Sequence, residues 1–180
     1  MVLLINRIVS RIARGFRKSF FKKSIKCEHN QFTLVGNIIL INKNISLGKN
    51  VTIYPNCMFY GDGPIIIGNN CEIGNNVIIY SSKNGGVYIA DNVMIAANSY
   101  ITDCDHGTQK NVIMRNQKTV VSSVRIGNDV WIGTGVTILK GSQINDGAII
   151  GAGALVRSTI ESNAIAIGIP AKIVKHRQNG

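Results

Sequence analysis

The stretch "RIGNDVWIGTGVTILKGSQINDGAIIGAGALVRSTI", residues 125–160, repeats every six residues. Cut into sixes it reads RIGNDV, WIGTGV, TILKGS, QINDGA, IIGAGA and LVRSTI, with Ile126, Ile132, Ile138, Ile144, Ile150 and Val156 in second place. A period of six is no α-helical face, because about 3.6 residues per turn scatters every sixth residue around the axis. It suits a short strand followed by a corner. The third to fifth places hold Gly, Asn and Asp, as in Gly127, Asn128 and Asp129, which tolerate the positive φ of tight turns.

The same pattern extends upstream. It gives SLGKNV, TIYPNC and MFYGDG from residue 46, IIGNNC, EIGNNV and IIYSSK from residue 66, and YIADNV, MIAANS and YITDCD from residue 88. Second places are then Leu47, Ile53, Phe59, Ile67, Ile73, Ile79, Ile89, Ile95 and Ile101, so only Phe59 among all of them is not aliphatic. The interruptions follow the third, sixth and ninth blocks, always multiples of three. They therefore leave from one corner of a three-sided prism, a parallel β-helix of five full coils with residues 34–45 forming part of an earlier one. At ~4.8 Å between strands the prism is roughly 25 Å tall. Handedness does not follow from the repeat, and the usual right-handed crossover rule would point the wrong way.

Composition agrees with many short strands: 45% of the residues are hydrophobic, only 6% are aromatic, and 19 are Gly. At 180 residues the chain suits one domain. Its formal charge of +11 is uneven, since residues 1–26 hold eight of the 20 Lys and Arg and no acid. The remainder carries 12 basic and 9 acidic side chains, a net of +3. On a helix, Ile5, Ile8, Val9, Ile12, Phe16 and Phe20 share one side, opposite Arg7, Arg11, Arg14, Arg17, Lys18 and Lys22. That describes a cationic amphipathic helix, able either to dock on the prism or to lie on anionic lipid. Nucleic acid is not expected as a partner, because the rest of the chain shows no basic patch. Cys27, Cys57, Cys71 and Cys104 show no CxxC spacing and no signal peptide, and the apolar start "MVLLI" is cut short by Arg7. The expectation is a cytoplasmic protein with free thiols and no spanning segment, peripheral on the membrane at most.

The blocks, the run "VWIGTGVTILKGSQINDGAIIGAGALV" and the ending "GIPAKIVKHR" resemble the hexapeptide-repeat acyltransferases over residues 34–177. Within that family they are most similar to galactoside and maltose O-acetyltransferases and to the O-acetyltransferases of capsule and O-antigen sugars. The resemblance implies an all-β fold, a left-handed parallel β-helix active as a homotrimer. The domain reading is a basic helical segment over 1–26, a β-helix acyltransferase domain over 27–177 with a loop insert at 106–124, and a short C-terminal segment.

In that family a histidine near the loop is the general base, and His106 is the histidine available there; His29 precedes the regular region and His176 ends it. A neutral imidazole with a pKa near ~6.5 suits removal of a sugar hydroxyl proton as the oxygen attacks the thioester of acetyl-CoA. Asp103 and Asp105 are candidates to orient the imidazole or contact the acceptor. Cys104 is a weaker candidate nucleophile, since thiols normally meet their base across a fold rather than along the chain. The γ-class carbonic anhydrases carry zinc on three histidines of the same prism; here these would be the separated His29, His106 and His176, so no metal is expected.

By the same resemblance acetyl-CoA lies in a groove between two prisms, with Trp131, Gly133, Thr134, Gly151 and Ala152 along it and Lys172 and Lys175 at its phosphates. Where relatives read "VTKD" this chain reads "VRST", which puts Ser158 at the lysine position and moves the charge to Arg157. The insert carries Lys110, Arg115 and Lys118 without an acid, suiting an acidic or phosphate-bearing glycan, and in the family it reaches over a neighbouring subunit. The expected reaction is O-acetylation of a sugar in a surface polysaccharide or its lipid-linked precursor. N-acetylation of an amino sugar, and a non-catalytic trimeric scaffold or glycan-binding role, are the alternatives.

Overall fold

Within the hexapeptides the second residue, and the last except at Lys83 and Asp105, turns inward while the first points out, as strand pleating dictates. The computed structural model describes residues 31–178, and there the alternation builds three parallel sheets around one core. The first face stacks β1 (Phe32–Leu34), β4 (Val51–Ile53), β7 (Glu72–Ile73), β10 (Met94–Ile95), β15 (Trp131–Ile132), β18 (Ile149–Ile150) and β21 (Ala164–Ile167). The second stacks β2 (Ile39–Leu40), β5 (Met58–Tyr60), β8 (Ile78–Tyr80), β11 (Tyr100–Thr102), β16 (Thr137–Ile138) and β19 (Leu155–Val156). The third stacks β3 (Ile45–Leu47), β6 (Ile65–Ile67), β9 (Val87–Ile89), β14 (Val124–Ile126), β17 (Gln143–Ile144) and β20 (Thr159–Ile160).

All fifteen second-place residues, Phe59 included, are buried. They stack in register from coil to coil, so Ile79, Ile101 and Ile138 lie one above another. Upstream of the first block, which holds β3, lie β1 and β2, two faces of an earlier coil as expected for residues 34–45, and a further rung, β21, follows the last block. Antiparallel β22 (Lys172–His176) then folds back on β21 and closes the end. The strands run from Phe32 to His176, and the expected helix of residues 1–26 lies outside the described residues.

Each corner has its own chemistry. Between the third and first faces, Asn50, Asn70, Asn92 and Asp129 take positive φ, the left-handed conformation that short polar side chains tolerate. One residue earlier runs a ladder in which each side-chain oxygen accepts the N–H of the coil below: Lys49 N–H to Asn69 Oδ1 at 2.8 Å, Asn69 N–H to Asp91 Oδ1 at 2.7 Å, and Asn128 N–H to Asp146 Oδ1 at 2.7 Å. The backbone N–H and side-chain amide of Asn69 hold the Asp91 carboxyl below its ordinary pKa. Between the second and third faces lie the excursions 61–64, 81–86 and 103–123, all from one corner as the repeat requires. The longest leaves as a hairpin, β12 (Cys104–Asp105) paired antiparallel with β13 (Val120–Val121).

Candidate functional site

His106 sits exposed at the foot of this hairpin, directly after β12. Asp105 is exposed beside it and pairs with Lys140 of the coil above, Nζ to Oδ2 3.3 Å, which pins the departing limb to the prism. Asp103 is buried instead, with Ser82 N–H donating to its Oδ1 at 2.9 Å and Ser81 Oγ–H donating to its Oδ2 at 3.1 Å. Cys104 is half-buried, and burial is the main cause that raises its thiol pKa, the opposite of what a thiolate nucleophile needs. Cys57 and Cys71 are buried thiols with raised pKa values as well, for the same reason.

Beyond His106 the loop is braced from within. Gln117 Oε1 accepts the Gln109 N–H at 2.8 Å, and Gln117 Nε2–H donates to the Val112 carbonyl at 2.7 Å. A single 3₁₀ turn, Met114–Asn116, forms the tip, where Val112, Ile113 and Met114 are exposed. Lys110, Arg115 and Lys118 are exposed too, and no ion pair engages them among the described residues.

The corner between the first and second faces is different. Its upper two coils carry Gly133, Thr134 and Gly135, then Gly151, Ala152 and Gly153, so no exposed side chain there is longer than threonine; the coil below adds Ala96, Ala97 and the exposed Asn98, whose Oδ1 accepts from Asn76 Nδ2 at 2.9 Å. Thr134 Oγ1–H donates to the Ala97 carbonyl at 2.8 Å, which fixes the hydroxyl along the strip. Gly133 must be glycine: a Cβ there would lie 2.7 Å from the Ala152 nitrogen and 2.8 Å from the Ile150 oxygen. Trp131 stands outward on the first face, 49% exposed, in register with Met94 below and Ile149 above. Beside it is a shallow hollow of about 300 Å³ lined by Tyr54, Glu72, Gly74, Asn75, Met94 and Ala96.

The fold therefore gathers Trp131, Gly133, Thr134, Gly151 and Ala152 at one corner, with Lys172 and Lys175 exposed on β22 above the first face. His106, Asp103, Asp105 and, at the top, Arg157 belong to the other end of the second face. One prism does not bring the two groups together, because the width of that face separates them. The face itself is apolar outward: Ile39, Met58, Ile78 and Tyr100 form one continuous row, with Thr137 and Leu155 above. Tyr60 and Tyr80 pack beside this row with ring centroids 4.7 Å apart.

Lys140, Ser81 and Ser82 are site neighbours that the repeat did not single out. A signal was present, since Lys83 and Asp105 are the two charged residues at sixth places otherwise filled by small or apolar side chains. His176 pairs with Glu161 at 3.4 Å on the end hairpin, away from His106. Among the described residues no group of three or more His, Cys, Asp or Glu could hold a metal ion, and no helix is long and apolar enough to cross a membrane.

Two family models match the chain: bacterial transferase hexapeptide (six repeats) over residues 123–158, and hexapeptide repeat of succinyl-transferase over residues 64–103. Such a repeat fits a left-handed β-helix. A probable acetyltransferase of Mycobacterium tuberculosis is 37% identical over 51% of this chain, a match that spans only 31% of that protein. WbbJ of Escherichia coli, a putative lipopolysaccharide biosynthesis O-acetyl transferase, is 34% identical over 73% of this chain and 71% of its own length. Among solved structures, AntD, an N-acyltransferase from Bacillus cereus in complex with dTDP and 3-hydroxybutyryl-CoA, superposes with a TM-score of 0.77 at 20% identity. That likeness covers 90% of this chain and 88% of AntD, and it establishes the fold.

Proposed function

The chain belongs to the bacterial hexapeptide-repeat transferases, and from that premise we propose that it is an acetyl-CoA-dependent O-acetyltransferase acting on a sugar hydroxyl of a surface polysaccharide or its lipid-linked precursor. The observation that carries the reading is the pair of unlike corners flanking an apolar face. A strip of Gly, Ala and Thr accepts a slender extended chain such as pantetheine, and an exposed imidazole stands at the opposite corner.

Three prisms that turn their second faces toward a common axis bury the Ile39 to Leu155 row. In the same step each His106 corner meets the Thr134 corner of its neighbour, and Arg157 of one copy approaches Lys172 and Lys175 of the next. The trimer thus completes a site that one chain only half contains. Acetyl-CoA lies along Trp131, Gly133, Thr134, Gly151 and Ala152, with its phosphates at Lys172, Lys175 and Arg157.

The acceptor hydroxyl hydrogen-bonds to the imidazole of His106, which takes its proton as the oxygen attacks the acetyl carbonyl. The new C–O bond forms, backbone N–H groups stabilise the tetrahedral oxyanion, and the C–S bond breaks. The imidazolium then returns the proton to the departing thiolate, so His106 ends neutral. Asp105, adjacent in the chain and held by Lys140, orients the imidazole or contacts the acceptor. Similarity to a lipopolysaccharide O-acetyl transferase supports a glycan acceptor. The basic segment 1–26 and the cations of the insert suit a phosphate-bearing, lipid-linked one at the cytoplasmic face of the membrane.

The test is acetyl transfer from labelled acetyl-CoA to a panel of soluble and lipid-linked saccharides, with wild type and His106→Ala side by side. Product that disappears in the variant while CoA binding persists supports the reading. Product on amino groups alone would replace O- by N-acetylation, equal product from both proteins would remove His106 as base, and neither product nor CoA binding would favour the scaffold.

A further inference from the structure

The carboxylate of Asp103 is fully buried. Oδ1 and Oδ2 share the Ser82 N–H at 2.9 and 3.0 Å, and the Ser81 Oγ–H lies between Oδ2 at 3.1 Å and the Pro64 carbonyl at 2.9 Å, a proton the two acceptors share. Its own backbone carbonyl accepts the Ser122 N–H at 2.9 Å. Among the described residues no cation pairs with this carboxylate. Such a group is costly to bury and depends on those donors, so its place in the fold calls for an explanation.

What it joins supplies one. Residues 81–86 are the excursion of the coil below, residues 104–106 the departing limb of the long insert, and residues 120–122 its returning limb. Asp103 touches the first through its side chain, continues directly into the second, and holds the third through its carbonyl. The packing is close: a Cβ on Gly85 would stand 2.3 Å from Asp103 Oδ2 and 2.6 Å from Val121 Cγ1. Ser82 Oγ is buried at the same corner without a partner, so the amide of Ser82, and the hydroxyl of Ser81 shared with the Pro64 carbonyl, serve the carboxylate.

We infer that Asp103 is a positioning residue for acyl transfer: its buried carboxylate, clasped by Ser81 and Ser82, ties both limbs of the insert to the coil below and so sets where His106 stands. The inference rests on the reading of His106 as base. Asp103 acts through the backbone, its two oxygens already engaged by Ser81 and Ser82. This is a different task from orienting an imidazole by a direct hydrogen bond.

Asp103→Asn keeps the size of the side chain but leaves one oxygen for the donors and adds an N–H₂ that faces them. In hydrogen exchange on the full chain, residues 81–86 and 104–122 should exchange about tenfold faster while coils 143–160 stay as in wild type. With an acceptor in hand, kcat should fall between about 10- and 100-fold, as for a reacting group displaced by ~1 Å, with the KM for acetyl-CoA within about twofold. The pH at half-maximal kcat should stay where it is. Ser81→Ala removes one donor and leaves the carboxylate, so a smaller rise of about threefold in the same two segments is expected even if Asp103→Asn fails to fold. Unchanged exchange in those segments, a uniform rise through every coil, or an unchanged kcat would overturn the inference. The exchange arm needs no substrate, so absence of acetyl transfer by wild type would refute the proposed function and still leave Asp103 decided.

Discussion

Replacing Ile101 by Ala tests whether the core stack is as rigid as its register implies. Ile101 is fully buried between Ile79 below and Ile138 above, both also at 0% exposure. The substitution removes the outer carbons of the side chain and leaves their space between two coils. Those coils cannot close on it, because Ile78 N–H to Ser99 at 3.0 Å and Tyr100 N–H to Val136 at 2.9 Å hold their spacing. Buried Ile to Ala costs about 2–5 kcal/mol, more where collapse is prevented, so about 4 kcal/mol is expected here. At roughly 2–4 °C per kcal/mol for a chain of this size, the Tm should fall by about 8–16 °C. Ile101→Val should cost about 1 kcal/mol, and Thr159→Ala, outward and exposed, should stay within about 0.5 kcal/mol. Circular dichroism through urea and heat, at one fixed protein concentration because assembly adds to apparent stability, reads all three. A loss below about 1 kcal/mol for Ile101→Ala would mean that the coils relax into the gap, and the argument from register would be wrong.

Two more outcomes follow from the corners. The Cys57 thiol, donating to the Gly74 carbonyl at 3.0 Å, is pushed up by burial to about 11. The unfolded chain loses this proton near pH ~8.5 while the folded chain keeps it, so stability is full below that pH and declines as pH rises toward 11. Cys57→Ala should flatten this slope in urea titrations between pH 8 and pH 11 under reducing conditions, leaving the part due to Cys71, Cys104, Tyr60 and Tyr80, which burial also raises; an unaltered slope counts against it. Ala152→Leu places a long side chain on the strip without touching the core, since Ala152 is exposed. The KM for acetyl-CoA should rise about tenfold or more with kcat and Tm nearly unchanged, and an unchanged KM would move the donor elsewhere.

Local rules act within six residues, and what depends on them could be read directly from the chain. Pleating decides which residues face inward, so all fifteen second places predicted for the core are buried, and Phe59 in one of them packs as the aliphatics do. The Gly, Asn and Asp of the turns take positive φ at Asn50, Asn70, Asn92, Gly135 and Gly153. Excursions at multiples of three blocks place their common corner. His106 was found as the histidine at that corner's longest loop, and the outward position of Trp131 came from its place in its block.

Contacts between coils were not legible, because they depend on how many residues each excursion inserts and on which residue then stacks above which. Ser81 and Ser82 meet Asp103 across 22 and 21 residues, a separation set by the 81–86 excursion. Lys140 reaches Asp105 only because the long hairpin returns to the same corner one coil higher. The closing hairpin of β21 and β22 has no six-residue signature. Six-residue periodicity specifies the prism because backbone geometry and turn sterics are short-ranged. Which side chains share a corner, and which corners one chain leaves apart, is decided when the coils stack, since only then do residues far apart in sequence acquire a common height and direction.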